Sequence, residues 1–197
     1  MSVDFANSET LKNLMRAFAG ESQARNRYTF AAGLAKKKNL QVIQGVFTFT
    51  ASQEEQHAKV YYNLLEKLSG QTIGIDGTYP VDIFPDVLQH LRAAQHNEYQ
   101  EWDHDYRLFA EVAKGEGFEE ISHTFSSIAD IEKTHGDRFG RFADLLEQGK
   151  LFVSDVECKW MCLNCGQIID ATMAPAMCPV CKHPQGFFVR WEMAPFE

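Results

Sequence analysis

Two short runs of the sequence repeat one spacing of side chains that can do chemistry. Gln53-Glu54-Glu55-Gln56-His57 and Ile131-Glu132-Lys133-Thr134-His135 each contain Glu-x-x-His. On a helix, residues three apart share a face, so each run can offer one carboxylate and one imidazole to a single point. The repeat extends backwards. Phe47 and Ala51 precede Glu54 at the intervals at which Phe125 and Ala129 precede Glu132. A lone glutamate lies upstream of each run, Glu21 by 33 residues from Glu54 and Glu98 by 34 from Glu132. Lone Glu, Glu-x-x-His, lone Glu, Glu-x-x-His is the order in which a four-helix bundle builds a two-metal carboxylate site in its core.

A single Glu-x-x-His on a helix is ordinarily a solvated face, but the neighbours here argue for a buried one. Phe125, Ile128, Ala129 and Phe139 share a face with Glu132, and Phe47, Ala51, Ala58 and Tyr61 share one with Glu54. Leu14, Ala17, Phe18 and Ala24 flank Glu21, and Leu91, Ala94 and Trp102 flank Glu98. The glutamates therefore fall in apolar stripes, where a helix faces its core. An unpaired buried carboxylate costs several kcal/mol, on the order of a whole stability margin. No lysine or arginine recurs beside all four, so metal cations are the most economical counter-charge.

A second metal site lies near the C-terminus. Four of the five cysteines form two Cys-x-x-Cys pairs, Cys162/Cys165 and Cys178/Cys181. Two such knuckles, each turning backbone N–H groups toward its thiolates, make a tetrahedral sulfur site. A segment of about 40 residues would hardly fold without that metal. Spacing alone does not choose between zinc and iron. Cys158 is left over and reads as a free or partly buried thiol.

The chain has 197 residues, 45% of them hydrophobic, enough for one substantial core and a small appendage. The net charge of −8 argues against nucleic acid as a partner. The first ten residues carry Asp4 and Glu9, with neither a basic start nor a long apolar run. No secretory signal or membrane span is expected, and the Cys-x-x-Cys pairs suit a reducing cytoplasm rather than a disulfide framework.

The elements that must position these residues can be traced from the hydrophobic period. One long helix is expected from Ser8 to Lys38, its Lys36-Lys37-Lys38 run meeting the negative end of the helix dipole. Asn39 is expected to cap a second helix that reaches Leu68 and stops at Ser69-Gly70. Residues 70 to 81, with Gly70, Gly74, Gly77 and Pro80, break the period and form a long crossover. A third helix is expected from near Pro85 to Lys114, a tight turn at Gly115-Glu116-Gly117, and a fourth helix from Phe118 to Gln148 with Gly149 beyond it. From Glu157 the composition shifts to Cys, Pro and aromatics. The expected architecture is mainly α: a four-helix bundle over residues 1–152, then a small metal-bound β/loop domain over 153–197.

Around the cysteines, Trp160, Gly166, Pro179, Phe187, Phe188 and Trp191 resemble a rubredoxin. The run Arg16-Ala17-Phe18-Ala19-Gly20-Glu21-Ser22-Gln23-Ala24-Arg25-Asn26-Arg27-Tyr28, with Phe109 to Ala129 and the flanking ligands, resembles the rubrerythrin family. That resemblance covers nearly the whole chain, in the order ferritin-like di-iron bundle, then rubredoxin-like domain. It implies two irons held by Glu21, Glu54, His57, Glu98, Glu101, Glu132 and His135, and a third held by Cys162, Cys165, Cys178 and Cys181, zinc being the substitute. It also implies that Tyr28 and Tyr106 hydrogen-bond to ligand carboxylates. Two positions depart from the pattern: Lys182 follows Cys181 where a glycine is common, and Gln167 stands where an aromatic is common.

The implied function is a peroxidase that reduces hydrogen peroxide to water. Its electrons would arrive singly through the sulfur-bound iron from an NAD(P)H-linked reductase or a rubredoxin. The implied assembly is a homodimer or larger. Glu101 would bind the oxidised pair and His57 the reduced one, because a carboxylate favours ferric iron and imidazole competes better for ferrous. The alternatives are an iron-storage or ferroxidase shell, and a bundle whose tail is a structural zinc ribbon.

Overall fold

The computed structural model describes residues 3–195, and its elements follow from local chemistry. Helix α1 spans Glu9–Lys37. Its first turn is capped twice. The Ser8 hydroxyl accepts from the Leu11 N–H at 3.0 Å, and the Glu116 carboxylate accepts from the N–H groups of Glu9 and Thr10 at 3.0 and 2.8 Å. An anion at a helix N-terminus satisfies orphan donors and meets the positive dipole end.

Asn39 corrects one expectation. It sits at φ 59, the Leu40 N–H reaches back to Ala35 O at 3.0 Å, and its own N–H reaches Lys36 O at 3.1 Å. This is the left-handed closure of α1, so Asn39 ends the first helix and does not cap the second. Helix α2, Gln41–Asn63, stops short of Leu68, and the chain tightens into a 3₁₀ turn at Glu66–Leu68.

The crossover lies along α1. Arg16 pairs with Asp76 at 2.6 Å, the Tyr79 hydroxyl donates to Arg16 O at 3.1 Å, and Arg27 pairs with Asp82 at 2.5 Å. Asp86 then caps α3, Val87–Gln100, accepting from the Gln89 N–H at 3.2 Å. The single third helix expected from the sequence is broken in register. A π-helical turn, Glu101–Asp105, separates α3 from α4, Tyr106–Glu116. Eight residues of ideal α-helix would turn Glu98 and Tyr106 roughly 80° apart. The extra residue absorbed by the π turn brings them within roughly 20°, and both are buried. Gly117, at φ 91, closes α4, and α5 runs Glu119–Glu147.

Helices α1 and α2 pair as one hairpin, and α5 packs against α3 and α4 as the other. The α3–α5 approach is close. A Cβ added to Gly136 would lie 2.6 Å from the Tyr99 ring, and one on Gly140 would lie 2.3 Å from the Gln95 amide. Among the described residues, the bundle's apolar core falls into two clusters, one around Tyr28, Phe47 and Phe139 and one around Leu14, Tyr61 and Phe125. No helix among the described residues is long and apolar enough to cross a membrane.

Strands β1 (Val153–Cys162), β2 (Ile168–Met173) and β3 (Phe188–Arg190) form an antiparallel sheet in the order β2-β1-β3. Trp160 and Phe188 are fully buried beside Cys162 and Cys178. This tail docks on the end of the bundle: Val189 and Ala194 join the cluster of Ala35, Val42 and Ala143. Gly186 lies against the α1–α2 turn so tightly that a Cβ there would meet Asn39 O at 1.9 Å. Gly186→Ala should therefore force the tail off the turn and cost about 2 kcal/mol. Thermal or denaturant unfolding of the variant checks this, and an unchanged midpoint would contradict the docking.

Candidate metal centres

Each carboxylate–imidazole pair is delivered by one turn of helix. Glu54 and His57 project from α2, Glu132 and His135 from α5, Glu21 from α1 and Glu98 from α3. All six are buried. They assemble into two groups of four whose ligand atoms lie within 4.8 Å of one another: Glu21, Glu54, His57 and Glu132, and Glu54, Glu98, Glu132 and His135. Glu54 and Glu132 belong to both groups. The two imidazoles lie nearly parallel, 5.5 Å between centroids and 15° between planes, as the repeated sequence pattern requires.

The contacts inside the cluster are short but are not hydrogen bonds. His57 Nδ1 lies 2.9 Å from Glu132 Oε1, and His135 Nδ1 lies 2.9 Å from Glu54 Oε1 and 2.8 Å from Glu132 Oε2. Yet both Nδ1 atoms, both oxygens of Glu54 and Glu132, and the Oε2 atoms of Glu21 and Glu98 lack a partner in hydrogen-bond direction. Donors aimed at a common centre produce this pattern. Two ligands each about 2.1 Å from an ion and about 90° apart stand roughly 3 Å from each other. The residues present therefore fit a pair of metal ions sharing two carboxylates.

The outer oxygens are held by tyrosines. Tyr106 donates to Glu21 Oε1 at 2.6 Å, and Tyr28 donates to Glu98 Oε1. In both glutamates the second oxygen is thereby turned inward. Glu101 stands apart: it lies on the π turn, outside both groups, and lines a cleft that reaches Gly20 and Tyr106.

Electrostatics show what charge the cluster calls for. Burial pushes Glu21 up to about 8 and raises Glu98 and Glu132 as well. Burial also raises Glu54, but the approach of His135 and His57 outweighs it and holds this carboxyl at about 2. Burial lowers both imidazoles, yet the surrounding carboxylates lift His57 to about 10 and His135 to about 12. Protons on the imidazoles and on some carboxylates thus supply positive charge that divalent ions would otherwise bring. Four carboxylates and two divalent cations are electrically balanced.

Two features near the cluster carry no sequence signal of their own. Arg138 staples α5 to α2 beside it, donating to Thr50 Oγ1 at 2.9 Å and Gln53 Oε1 at 3.0 Å. Tyr61, read from the sequence as packing, buries a hydroxyl without a partner one turn beyond His57.

In the tail, Cys162 Sγ lies 3.7 Å from Cys181 Sγ, and Cys165 Sγ lies 3.7 Å from Cys178 Sγ. Four sulfurs about 2.3 Å from a tetrahedral ion stand roughly 3.8 Å apart, so this group also fits its metal. The backbone N–H of His183 pulls Cys181 down to about 6, whereas burial pushes Cys162 up to about 12. Lys182 takes φ 62, matching φ 76 at Gly166 in the other knuckle. The departure at Lys182 therefore leaves the knuckle geometry intact at the cost of a left-handed non-glycine residue.

The raised imidazole pKa sets a pH dependence. A group whose folded pKa lies above its unfolded value stabilises fully below the unfolded value and loses that contribution as pH rises through the folded one. Metal-free protein should therefore lose stability between pH 6.5 and about 10 through His57, with Glu21 acting in the same direction between pH 4.5 and about 8. Metal-loaded protein should not. Melting curves with and without chelator across this range check the sign, and a metal-free protein that gains stability toward pH 10 would contradict it.

Comparison with known proteins agrees with both centres. A family model described as Rubrerythrin matches residues 12–143, and one described as Rubrerythrin, rubredoxin-like domain, matches residues 160–189. A rubrerythrin of Porphyromonas gingivalis is 43% identical over 95% of this chain and 92% of its own length. One of Nitratidesulfovibrio vulgaris is 42% identical over 92% of this chain and 93% of its own. The solved structure of fully reduced, all-ferrous nigerythrin superposes with a TM-score of 0.62 at 25% identity, covering 94% of this chain and 91% of the other. With its carboxylate–histidine cluster and its four-cysteine site in keeping with that family's iron cofactors, the chain belongs to the rubrerythrin family.

Proposed function

We propose that the bundle is a non-haem di-iron peroxidase that reduces hydrogen peroxide to water, and that the tail passes it electrons one at a time. The observation that carries this reading is the pairing, in one chain, of a buried two-metal carboxylate cluster with a tetrathiolate site. A storage shell has no use for the second, and a structural ribbon does not explain the first.

Glu21, Glu54, His57, Glu98, Glu132 and His135 would hold two irons, and Cys162, Cys165, Cys178 and Cys181 a third, with zinc the substitute. Bound as ferrous ions, the pair would supply Lewis acidity and two electrons, one from each ion, the number that a peroxide needs for reduction without release of a radical. The side chains do the rest. Tyr28 and Tyr106 fix the outer ligand carboxylates by hydrogen bonds to Glu98 and Glu21. Burial, with the like charges of Glu21, Glu98 and Glu54, raises the Glu101 carboxyl well above its ordinary range and so favours its protonated form. Lining the cleft, it can hand that proton to the departing oxygen of an incoming peroxide. The carboxylate left behind is a hard donor suited to ferric iron, whereas His57 suits ferrous. We assign Glu101 to the oxidised ligand set and His57 to the reduced one. Its place in the cluster beside Glu21 supports His57 in that role.

Electron entry calls for a second copy of the chain. The tail docks at the α1–α2 turn, beside Asn39 and Gln41. Glu54 lies 13 residues along α2 from Gln41, about 20 Å. Glu21 lies 18 residues along α1 from Asn39, about 27 Å. These are long gaps for electron hopping. A homodimer or larger assembly that brings one subunit's tail to another's cluster shortens them. An NAD(P)H-linked reductase or a rubredoxin in the cytoplasm would supply the tail.

Replacing Cys162 and Cys178 by Ser should abolish turnover with an external donor. Chemically reduced di-iron protein carrying both changes should still consume one equivalent of peroxide, because the two centres share no ligand. Stopped-flow peroxide consumption with iron analysis checks this. Loss of the single turnover in a variant whose cluster stays loaded would overturn the division of labour.

A further inference from the structure

The cleft beside the cluster is far larger than hydrogen peroxide requires. Its volume is about 1020 Å³, at the upper end of small-molecule sites, which run from roughly 300 to 1,000 Å³. A molecule of two oxygens needs only a small fraction of that space. Gly20, Glu101 and Tyr106 are among its lining residues. Tyr106 donates directly to Glu21 of the cluster, so a ligand against Tyr106 is one side chain from the metal ligands. Gly20 leaves bare backbone there: a Cβ would stand 3.8 Å from the Tyr79 ring and 3.9 Å from the Tyr106 hydroxyl.

The walls define the chemistry of the occupant. Ala17, Tyr79, Pro80, Leu108, Phe109 and Val112 line the cleft with carbon. Its two cations are already answered, Arg16 by Glu9 and Asp76 and Arg27 by Asp82. Asp105 adds a further acidic group to the lining. Among the described residues no unpaired cation lines the cleft to receive a carboxylate, so an anionic ligand meets net repulsion. An uncharged molecule with an apolar body fits.

We propose that this cleft binds neutral alkyl or aryl hydroperoxides, ROOH, and presents the hydroperoxide end to the cluster. The inference rests on the peroxidase reading and extends its substrate class. The O–O bond breaks: the oxygen on carbon leaves as the alcohol ROH and the other as water. Two protons come from solvent, and the two electrons are those that reduce hydrogen peroxide in the same protein. The R group lies along α4 against Leu108, Phe109 and Val112.

Two measurements test it. In zinc-loaded, redox-silent protein, 2-phenyl-2-propanol, the alcohol product of cumene hydroperoxide, should bind saturably by calorimetry. It should perturb the NMR signals of Val112 and Leu108. In iron-loaded protein, cumene hydroperoxide should be reduced to that alcohol. Val112→Trp, which fills the apolar wall, should lower kcat/KM for cumene hydroperoxide roughly tenfold relative to hydrogen peroxide in the same variant. Absence of saturable binding overturns the proposal, as does an unaltered rate ratio in a folded Val112→Trp protein. Binding without turnover in a sample that consumes hydrogen peroxide also overturns it. A sample that consumes neither peroxide strikes the peroxidase reading instead, and the alcohol-binding measurement still decides the cleft.

Discussion

Four carboxylates in the middle of a helical bundle are the constraint on which the rest of the structure depends. Glu21, Glu54, Glu98 and Glu132 are each 0–1% exposed. Left charged and alone they would cost more than a small protein's stability margin. Nearby groups able to share that charge include two imidazoles, the hydroxyls of Tyr28 and Tyr106, and the Arg138 guanidinium. The imidazoles respond by holding protons far above their ordinary range. That same demand for positive charge makes the cluster a binding site for two cations.

The irregularities of the fold serve the cluster. The π turn at Glu101–Asp105 puts Tyr106 back on the face of Glu98, so a hydroxyl reaches Glu21 from the far side. Its first residue, Glu101, lines the cleft beside the cluster. Gly136 and Gly140 let α3 lie close to α5, which sets Glu98 near Glu132 and His135. Arg138 locks α5 to α2 one turn beyond His135. At the far end, Gly186 seats the tail on the α1–α2 turn, which fixes the tetrathiolate site well away from its own bundle's cluster.

What could be read from the sequence was what has a fixed period. Glu54 with His57, and Glu132 with His135, were legible because three residues are nearly one turn, and the apolar neighbours marked those faces as buried. The two Cys-x-x-Cys knuckles were legible because a tetrahedral sulfur site needs little beyond their spacing. Glu101 was different. Counting three residues from Glu98 puts it near the cluster face, but it is also the first residue of a π turn, and no residue type announces such a turn. Asn39 suits either a helix N-cap or a left-handed helix end, and only the backbone bonds from Leu40 and Asn39 decide between them. Arg138, Tyr61 and the cleft depend on how separate helices meet, which hydrophobic period does not encode.

The claim that buried carboxylates exist to hold two cations is tested most directly by anaerobic calorimetric titration with ferrous iron of protein whose tail site is already filled. The account gives two equivalents bound in the bundle, protons released as His57 and His135 lose theirs, and loss of both equivalents in Glu132→Gln, whose carboxylate is shared by the two groups. One equivalent or fewer, or two equivalents bound equally well by the Glu132→Gln protein, would contradict it.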